Sequence, residues 1–142
     1  MLMCRMLLSI NPKHVDNILS GVKLFEFRKV RCRADVDKIV IYATAPRKMV
    51  VAEAEIEKVI EDDVIEVWNQ TNSLSGISFD FFCAYYRGRK KAIAYELRNV
   101  EAYKQPKKLS DYGISHPPQS FIYLDDRKAV KKQPTEQIPL SV

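Results

Sequence analysis

The sequence predicts an α+β domain in which short antiparallel strands, with helices inserted between them, form a small, partly open β-barrel. The chain has 142 residues, which suits one domain with a single core, and its 46% hydrophobic and 29% charged residues are ordinary for a globular protein. Segments with the two-residue alternation of strands are separated by shorter segments with helical spacing. No internal repeat divides the chain.

A buried strand followed by a short helix is predicted at the start of the chain. Residues 5–10 form an uninterrupted apolar run, which is typical of a buried strand. Asn11 can cap the helix that follows, with Pro12 at its first position. Val15 and the apolar pair 18–19 recur at helical spacing, and Ser20-Gly21 ends the helix after two to three turns.

Three consecutive strands are predicted next. Residues 23–28 alternate between large apolar and charged side chains. Residues 37–44 are apolar on both faces, as in a central strand, and residues 50–60 alternate again, as in a half-exposed strand.

The second half of the chain predicts two helices, a long strand, a loop and a final strand. Ser78 is the expected cap of the second helix, Gly88 its exit, and a phase slip near Asn99 indicates a β-bulge. The predicted segments are helices at 63–71 and 79–87, a strand at 92–103, a loop at 105–118 and a strand at 121–124.

The composition limits the compartment and the partners. No apolar run approaches the length of a membrane helix, and the first ten residues do not make a signal peptide, so no membrane association is expected. Cys4, Cys32 and Cys83 are widely spaced, which predicts reduced, mostly buried thiols, no structural zinc and a cytoplasmic location. The net charge of +5 permits an anionic partner such as nucleic acid without requiring one.

The domain is expected to span residues 1–125. Residues 126–142 are polar and aperiodic, and they are predicted to form a flexible tail.

The most informative stretch runs from Gly21 to Arg28, where Lys23, Glu26 and Arg28 alternate with large apolar residues. If partly buried, these three charges can hold a polar ligand and shift the pKa of the lysine. The alternative is a surface ion pair of little energetic weight. Strict alternation places Lys23 opposite Glu26, so the two converge only if the strand begins after Lys23 or contains a bulge.

The pattern Gly21-x-Lys23-x-x-Glu26-x-Arg28 resembles the signature of the ASCH family, a branch of the PUA-like superfamily. The flanking segments agree with that family's first strand and turn, cleft-lining strand and closing segment. They are Leu8-Ser9-Ile10-Asn11-Pro12, residues 39–46 and Pro117-Pro118-Gln119-Ser120-Phe121. The resemblance extends from about Met6 to Leu124.

This resemblance implies a PUA-like barrel, a cleft between barrel and helix, and a role related to RNA or nucleotides. Some members of the family are ribonucleases. A small branch removes the acetyl group of N4-acetylcytidine with a lysine and a threonine of the motif and a distant glutamate. Lys23 matches that lysine, whereas Glu26 stands where the branch has threonine.

The leading hypothesis is a module that binds RNA or a modified nucleoside. A base stacks on Tyr42, while Lys23, Arg28 and nearby groups hold its edge or a phosphate. The complete set of expected ligand-binding residues is Lys23, Glu26, Arg28, Tyr42, Thr44, Gln119 and Ser120. A third possibility is a regulatory domain that binds a small metabolite. The oligomeric state stays open.

The alternative is a small metal-independent hydrolase that uses the same cleft, with Lys23, Glu26 and Ser120 as candidate catalytic residues. In amide hydrolysis, Lys23 or Glu26 activates water while a hydroxyl holds the carbonyl oxygen. In RNA cleavage, Lys23 stabilises phosphate charge while Glu26 or Ser120 handles the proton of the 2′-hydroxyl. Neither route requires a metal or another cofactor.

Basic turns and histidines are weaker candidates. The turns at 47–48, 87–91 and 104–108 either line an RNA path or are solvated loops. His14 and His116 lie in no nucleophile or metal pattern and are expected to be polar surface residues.

Overall fold

The computed structural model describes residues 4–124, and its elements follow one another in the predicted order. The strands are β1 (Cys4–Ile10), β2 (Phe25–Arg28), β3 (Val36–Ala43), β4 (Met49–Asp63), β5 (Lys91–Lys107) and β6 (Phe121–Leu124). The α-helices are α1 (Pro12–Ser20), α2 (Val64–Thr71) and α3 (Phe79–Tyr85), and short 3-10 helices occupy Asn72–Leu74 and Leu109–Tyr112. The tail predicted at 126–142 lies outside the described residues.

Local capping chemistry sets the helix ends as the sequence predicts. The Asn11 side chain accepts a hydrogen bond from the Lys13 backbone N–H at 2.9 Å, and Gly21 ends α1 with φ of 89°. Ser78 caps α3 by accepting from the Phe81 N–H at 3.1 Å. These predicted caps are confirmed.

The strands form one mixed sheet in the order β2-β5-β4-β3-β1-β6. Strands β1 and β3 are parallel, and the other neighbouring pairs are antiparallel. The predicted α+β class is confirmed. The sheet is not closed, because β2 and β6 form its two edges among the described residues, so the expected partly open barrel is supported only loosely.

Two strand boundaries differ clearly from the prediction, because pairing across the sheet decides them. Strand β2 begins at Phe25, after Lys23. Strand β5 extends to Lys107, inside the predicted loop, because Lys107 pairs with Val50 of β4. The bulge predicted near Asn99 is present: Asn99 has φ of 51°, and the β4–β5 register shifts opposite it.

Both faces of the central strand β3 are covered. Ile39 and Ile41 pack in the cluster that contains the buried face of α1. Val40 and Tyr42 pack on the opposite face, beneath the 3-10 helix Leu109–Tyr112. The short helices α2 and α3 cover β2 and the first half of β5 with an aromatic cluster centred on the fully buried Phe82.

Cys4 and Cys32 are buried and Cys83 is half-buried, so the prediction of mostly buried cysteines is confirmed. None of the helices within residues 4–124 is long and apolar enough to cross a membrane.

Candidate functional site

Lys23 lies in the connection between α1 and β2, and its side chain is fully buried. Because β2 begins at Phe25, Lys23 lies outside the strand and its side chain is not bound to the alternation of faces within the strand. It lies on the same side as Glu26. Its Nζ donates to the Ser75 carbonyl at 2.9 Å and lies 4.0 Å from Glu26 Oε1. The ammonium also lies 4.8 Å from the centre of the Phe27 ring, a cation–π distance.

Glu26 and Arg28 point to the same face of β2, and both side chains are fully buried. Arg28 donates from Nε and Nη2 to Glu26 Oε2, at 3.2 and 3.0 Å. The three charged tips of the motif therefore gather in the interior. The interpretation of the motif as a surface ion pair is wrong.

Arg28 also holds the two edges of the sheet together. Its Nη2 donates to the Ser9 carbonyl of β1 at 3.0 Å, and its Nη1 donates to Ser120 Oγ at 2.9 Å. Ser120 immediately precedes β6, and its carbonyl accepts the Ser9 N–H at 3.0 Å. The guanidinium thus bridges edge strand β2 and the strands near the other edge, β1 and β6. No ladder of backbone hydrogen bonds joins β2 to these strands within the described residues.

The motif carries one net positive charge in a low-dielectric interior. Burial is the main cause that lowers the pKa of Lys23 from 10.5 to about 8; Glu26 opposes the shift and Arg28 adds to it. At neutral pH the ammonium is therefore mostly charged but is much closer to titration than an exposed lysine. A buried positive charge of this kind attracts phosphate, carboxylate or carbonyl oxygens.

A cleft of about 670 Å³ lies against this cluster. Ser75 and Gly76 line the cleft and also contact Lys23, so they form a thin wall between the two. A Cβ atom at Gly76 would lie 2.6 Å from Lys23 Cβ, and its φ is +72°, so only glycine fits this close approach. The remaining lining comes from the start of α1, the α1–β2 connection, the 3-10 helix at 72–74 and the first part of α3 with the residues before it: Asn11, Lys13, His14, Val22, Asn72, Ser73, Ile77, Ser78 and Phe81.

His14 corrects the prediction of a polar surface histidine. It is 6% exposed and lines the cleft, and its ring stacks on Phe81 with centroids 5.8 Å apart. Its Nδ1 is buried without a hydrogen-bond partner in residues 4–124. Burial, opposed by Glu26 and reinforced by Lys23, lowers its pKa, which favours a neutral imidazole with one nitrogen free to accept. The four-residue spacing to the apolar Ile18 was the sequence signal for this buried face.

His116 is exposed, as expected.

Ser120 joins the motif through Arg28, whereas three other predicted ligand residues lie apart from it. Tyr42 is 2% exposed and packs in the cluster on the opposite face of β3 from α1. Its ring therefore offers no face for base stacking in this conformation. Thr44 is half-buried at the end of β3, and Gln119 is exposed beside Ser120.

Within the described residues, no three His, Cys, Asp or Glu side chains lie together in a group that could hold a metal ion.

The structure is an α+β domain with a buried ionic motif beside a cleft, and known proteins resemble it in sequence and fold. Residues 17–115 match the family model described as Domain of unknown function (DUF365). An ASCH domain-containing ribonuclease of Zymomonas mobilis is 30% identical over 128 residues, which cover 87% of this chain and 86% of that protein.

A crystal structure of ASCH from Zymomonas mobilis superposes with a TM-score of 0.77 at 29% identity, covering 87% of this chain and 89% of that one. The chain belongs to the ASCH domain family, with its residues 17–115 in DUF365.

A different relative shares only a part of itself with this chain. The large ribosomal subunit protein uL22 of Ureaplasma parvum is 31% identical over 119 residues, which are 83% of this chain but 38% of that protein. The chain therefore spans less than two fifths of the length of that curated relative.

Proposed function

We propose that this protein binds single-stranded RNA, or a single modified nucleoside, in the cleft beside the Lys23–Glu26–Arg28 cluster. The observation that carries the proposal is the buried net positive charge held directly behind the wall of a 670 Å³ cleft. In a low-dielectric environment such a charge favours an anionic or strongly polar ligand.

The lining of the cleft suits one nucleotide unit. The volume of the cleft lies within the roughly 300–1,000 Å³ typical of small-molecule sites. The Phe81 ring is 44% exposed in the cleft and is available to a base, unlike the Tyr42 ring. Lys13 contributes an exposed cation at the cleft, and the neutral His14 can hydrogen-bond to a base edge.

Blocking the cleft tests this proposal. Val22 lines the cleft and is 53% exposed, so Val22→Trp fills the space without disturbing the core. Ile65, on α2, is 46% exposed and does not line the cleft, so Ile65→Trp is the matched control. Nucleosides and short RNAs are screened by thermal shift, and hits are measured by fluorescence anisotropy.

We expect Val22→Trp to lose at least tenfold in affinity while Ile65→Trp keeps the wild-type value. No ligand in the screen, or equal affinity in both variants, contradicts the proposal.

Metal-independent RNA cleavage is the second candidate, supported by the ribonuclease name of the Zymomonas mobilis relative. Glu26 takes the proton of the 2′-hydroxyl, and the 2′-oxygen attacks phosphorus. The bond from phosphorus to the 5′-oxygen breaks, and the Lys23 ammonium protonates the leaving oxygen. A pKa of about 8 suits this acid near neutral pH. The products are a 2′,3′-cyclic phosphate and a 5′-hydroxyl.

This route requires a movement of the chain, because Lys23, Glu26 and Ser120 are at most 2% exposed. The segment 72–77, which contacts Lys23 through Ser75, must move to admit a phosphate. Hydrolysis of an N-acylated nucleoside by the same residues would require the same movement.

Cleavage is tested with labelled RNA in the presence of a chelator, and N4-acetylcytidine is tested in parallel. Lys23→Met keeps the length of the buried side chain and removes its proton. Turnover by the wild type that disappears in folded Lys23→Met establishes an enzyme, whereas unchanged turnover in the variant excludes Lys23 from the chemistry.

A further inference from the structure

The end of the sheet where β3 turns into β4 brings together two of the three basic turns. Met49 pairs with Ala43 across this turn, and Val50 pairs with Lys107 at the end of β5. Arg47 and Lys48 therefore lie beside Lys107 and the following Lys108. All four are exposed.

The third basic turn, at 87–91, lies at the opposite end of the same ladder. Lys91 begins β5 and pairs with Asp63, the last residue of β4. Because β5 is 17 residues long, this turn is separated from Lys107 by nearly the full length of the longest strand. The fold thus divides basic turns that look equivalent in sequence.

The end of the sheet that carries Arg47 and Lys107 adjoins the cleft. Arg47 Nη2 lies 3.6 Å from Asp16 Oδ1 of α1. Lys13 lines the cleft three residues before Asp16, on the same side of the helix. Exposed positive charge therefore continues from the cleft, through Lys13, to the β3–β4 turn and the end of β5.

The charge balance of this surface favours a polyanion. Five cations lie on this surface: Lys13, Arg47, Lys48, Lys107 and Lys108. They outnumber the carboxylates that bond to its residues, which are Asp16, Asp111 and Glu53 within residues 4–124. Asp111 accepts the Lys108 backbone N–H at 2.9 Å, and Glu53 accepts the Tyr103 hydroxyl at 3.0 Å. Lys107 Nζ lies 5.4 Å from the centre of the Tyr103 ring and 6.0 Å from that of Tyr112. The ammonium is held by these rings and forms no salt bridge with a carboxylate within residues 4–124.

We propose that a strand of RNA seated in the cleft leaves it past Lys13 and runs around this end of the sheet over Arg47, Lys48, Lys107 and Lys108. We call these five residues the sheet-end track. The inference rests on the proposed function. A nucleotide that enters the cleft must be unpaired, so the partner is single-stranded RNA. The contacts are to phosphates, and the track adds affinity without reading sequence.

The two ends of the ladder supply a matched experiment. Lys107→Gln/Lys108→Gln removes two exposed charges from the track, and Arg89→Gln/Lys90→Gln removes two exposed charges from the opposite end. A short fluorescein-labelled single-stranded RNA is titrated with the wild type and both variants over a series of salt concentrations. Circular dichroism and thermal melting check that each variant is folded.

We expect the track variant to reduce the slope of log K against log salt by about 1.4, at about 0.7 for each single-strand phosphate contact. The variant at the opposite end should keep the wild-type slope. An equal loss in both variants, or none in the track variant, refutes the track and leaves the cleft untouched. A wild type that binds no RNA refutes the proposed function itself. A polyglutamate competitor that displaces the RNA at equal charge concentration refutes RNA as the partner.

Discussion

Replacing Lys23 with methionine should remove a contribution that raises the stability of the protein as the pH increases. In the folded protein, burial lowers the pKa of Lys23 from 10.5 to about 8. Between these two values the unfolded chain binds a proton that the folded chain lacks. The free energy of unfolding therefore rises with pH across this window, since the cost of burying the charged ammonium disappears as the group loses its proton.

The size of the effect follows from the two pKa values. Integrating the proton linkage for this single group from pH 7 to pH 9.5 gives a gain of about 2 kcal/mol in the free energy of unfolding. Other groups oppose the gain: burial raises the pKa of the Cys32 thiol, and it raises that of Tyr85 to about 12. These groups remain in Lys23→Met, so the difference between wild type and variant isolates the lysine.

Urea unfolding followed by the fluorescence of Trp68 measures both proteins at pH 7 and pH 9.5. We expect the stability of wild type relative to Lys23→Met to improve by about 2 kcal/mol over this interval. Lys38→Met is the control, because Glu53 raises the pKa of Lys38 and the lysine stays protonated throughout. A wild-type-minus-Lys23→Met difference that is constant with pH, or that falls, refutes the argument that Lys23 is buried as a cation.

Three further predictions concern the wall and the anchors of the cluster, and each is checked by urea unfolding. Glu26→Gln leaves two buried cations without their carboxylate and should cost about 3–5 kcal/mol; a loss below 1 kcal/mol would show that the pair is not buried. Gly76→Ala forces a Cβ against Lys23 and should cost about 1–3 kcal/mol more than Gly88→Ala, which has a similar positive φ but open space; equal costs would remove the steric argument. Ser120→Ala removes the hydroxyl that accepts a hydrogen bond from Arg28 and should cost about 1.5–3 kcal/mol. An unchanged free energy of unfolding would mean that water replaces the hydroxyl.

The elements could be predicted because their signals are local. Asn11, Gly21 and Ser78 act on backbone groups only a few residues away, so their capping roles are visible in the sequence. The convergence of Lys23 with Glu26 was open to prediction on one condition, that the strand begins after the lysine, and this condition holds.

The environment of the cluster could not be predicted, because distant segments create it. Lys23 is buried by Ser75, which lies 52 residues further along the chain, and no local pattern announces this contact. The position of Tyr42 depends on which face of β3 turns toward the 3-10 helix at 109–112. Strand β5 extends to Lys107 because β4 provides a partner there, although the sequence at that point is typical of a loop.

The bond between Arg28 and Ser120 spans 92 positions and has a consequence for the order of assembly during synthesis. When β2 has emerged from the ribosome, Arg28, Glu26 and Ser9 are all within the emerged chain, but Ser120 is still to be synthesised. This hydrogen bond can therefore form only after almost the whole domain has left the exit tunnel. Shortened translation products that stop before residue 120 would contain all three charged residues of the motif but would lack the hydrogen bond from Arg28 to Ser120.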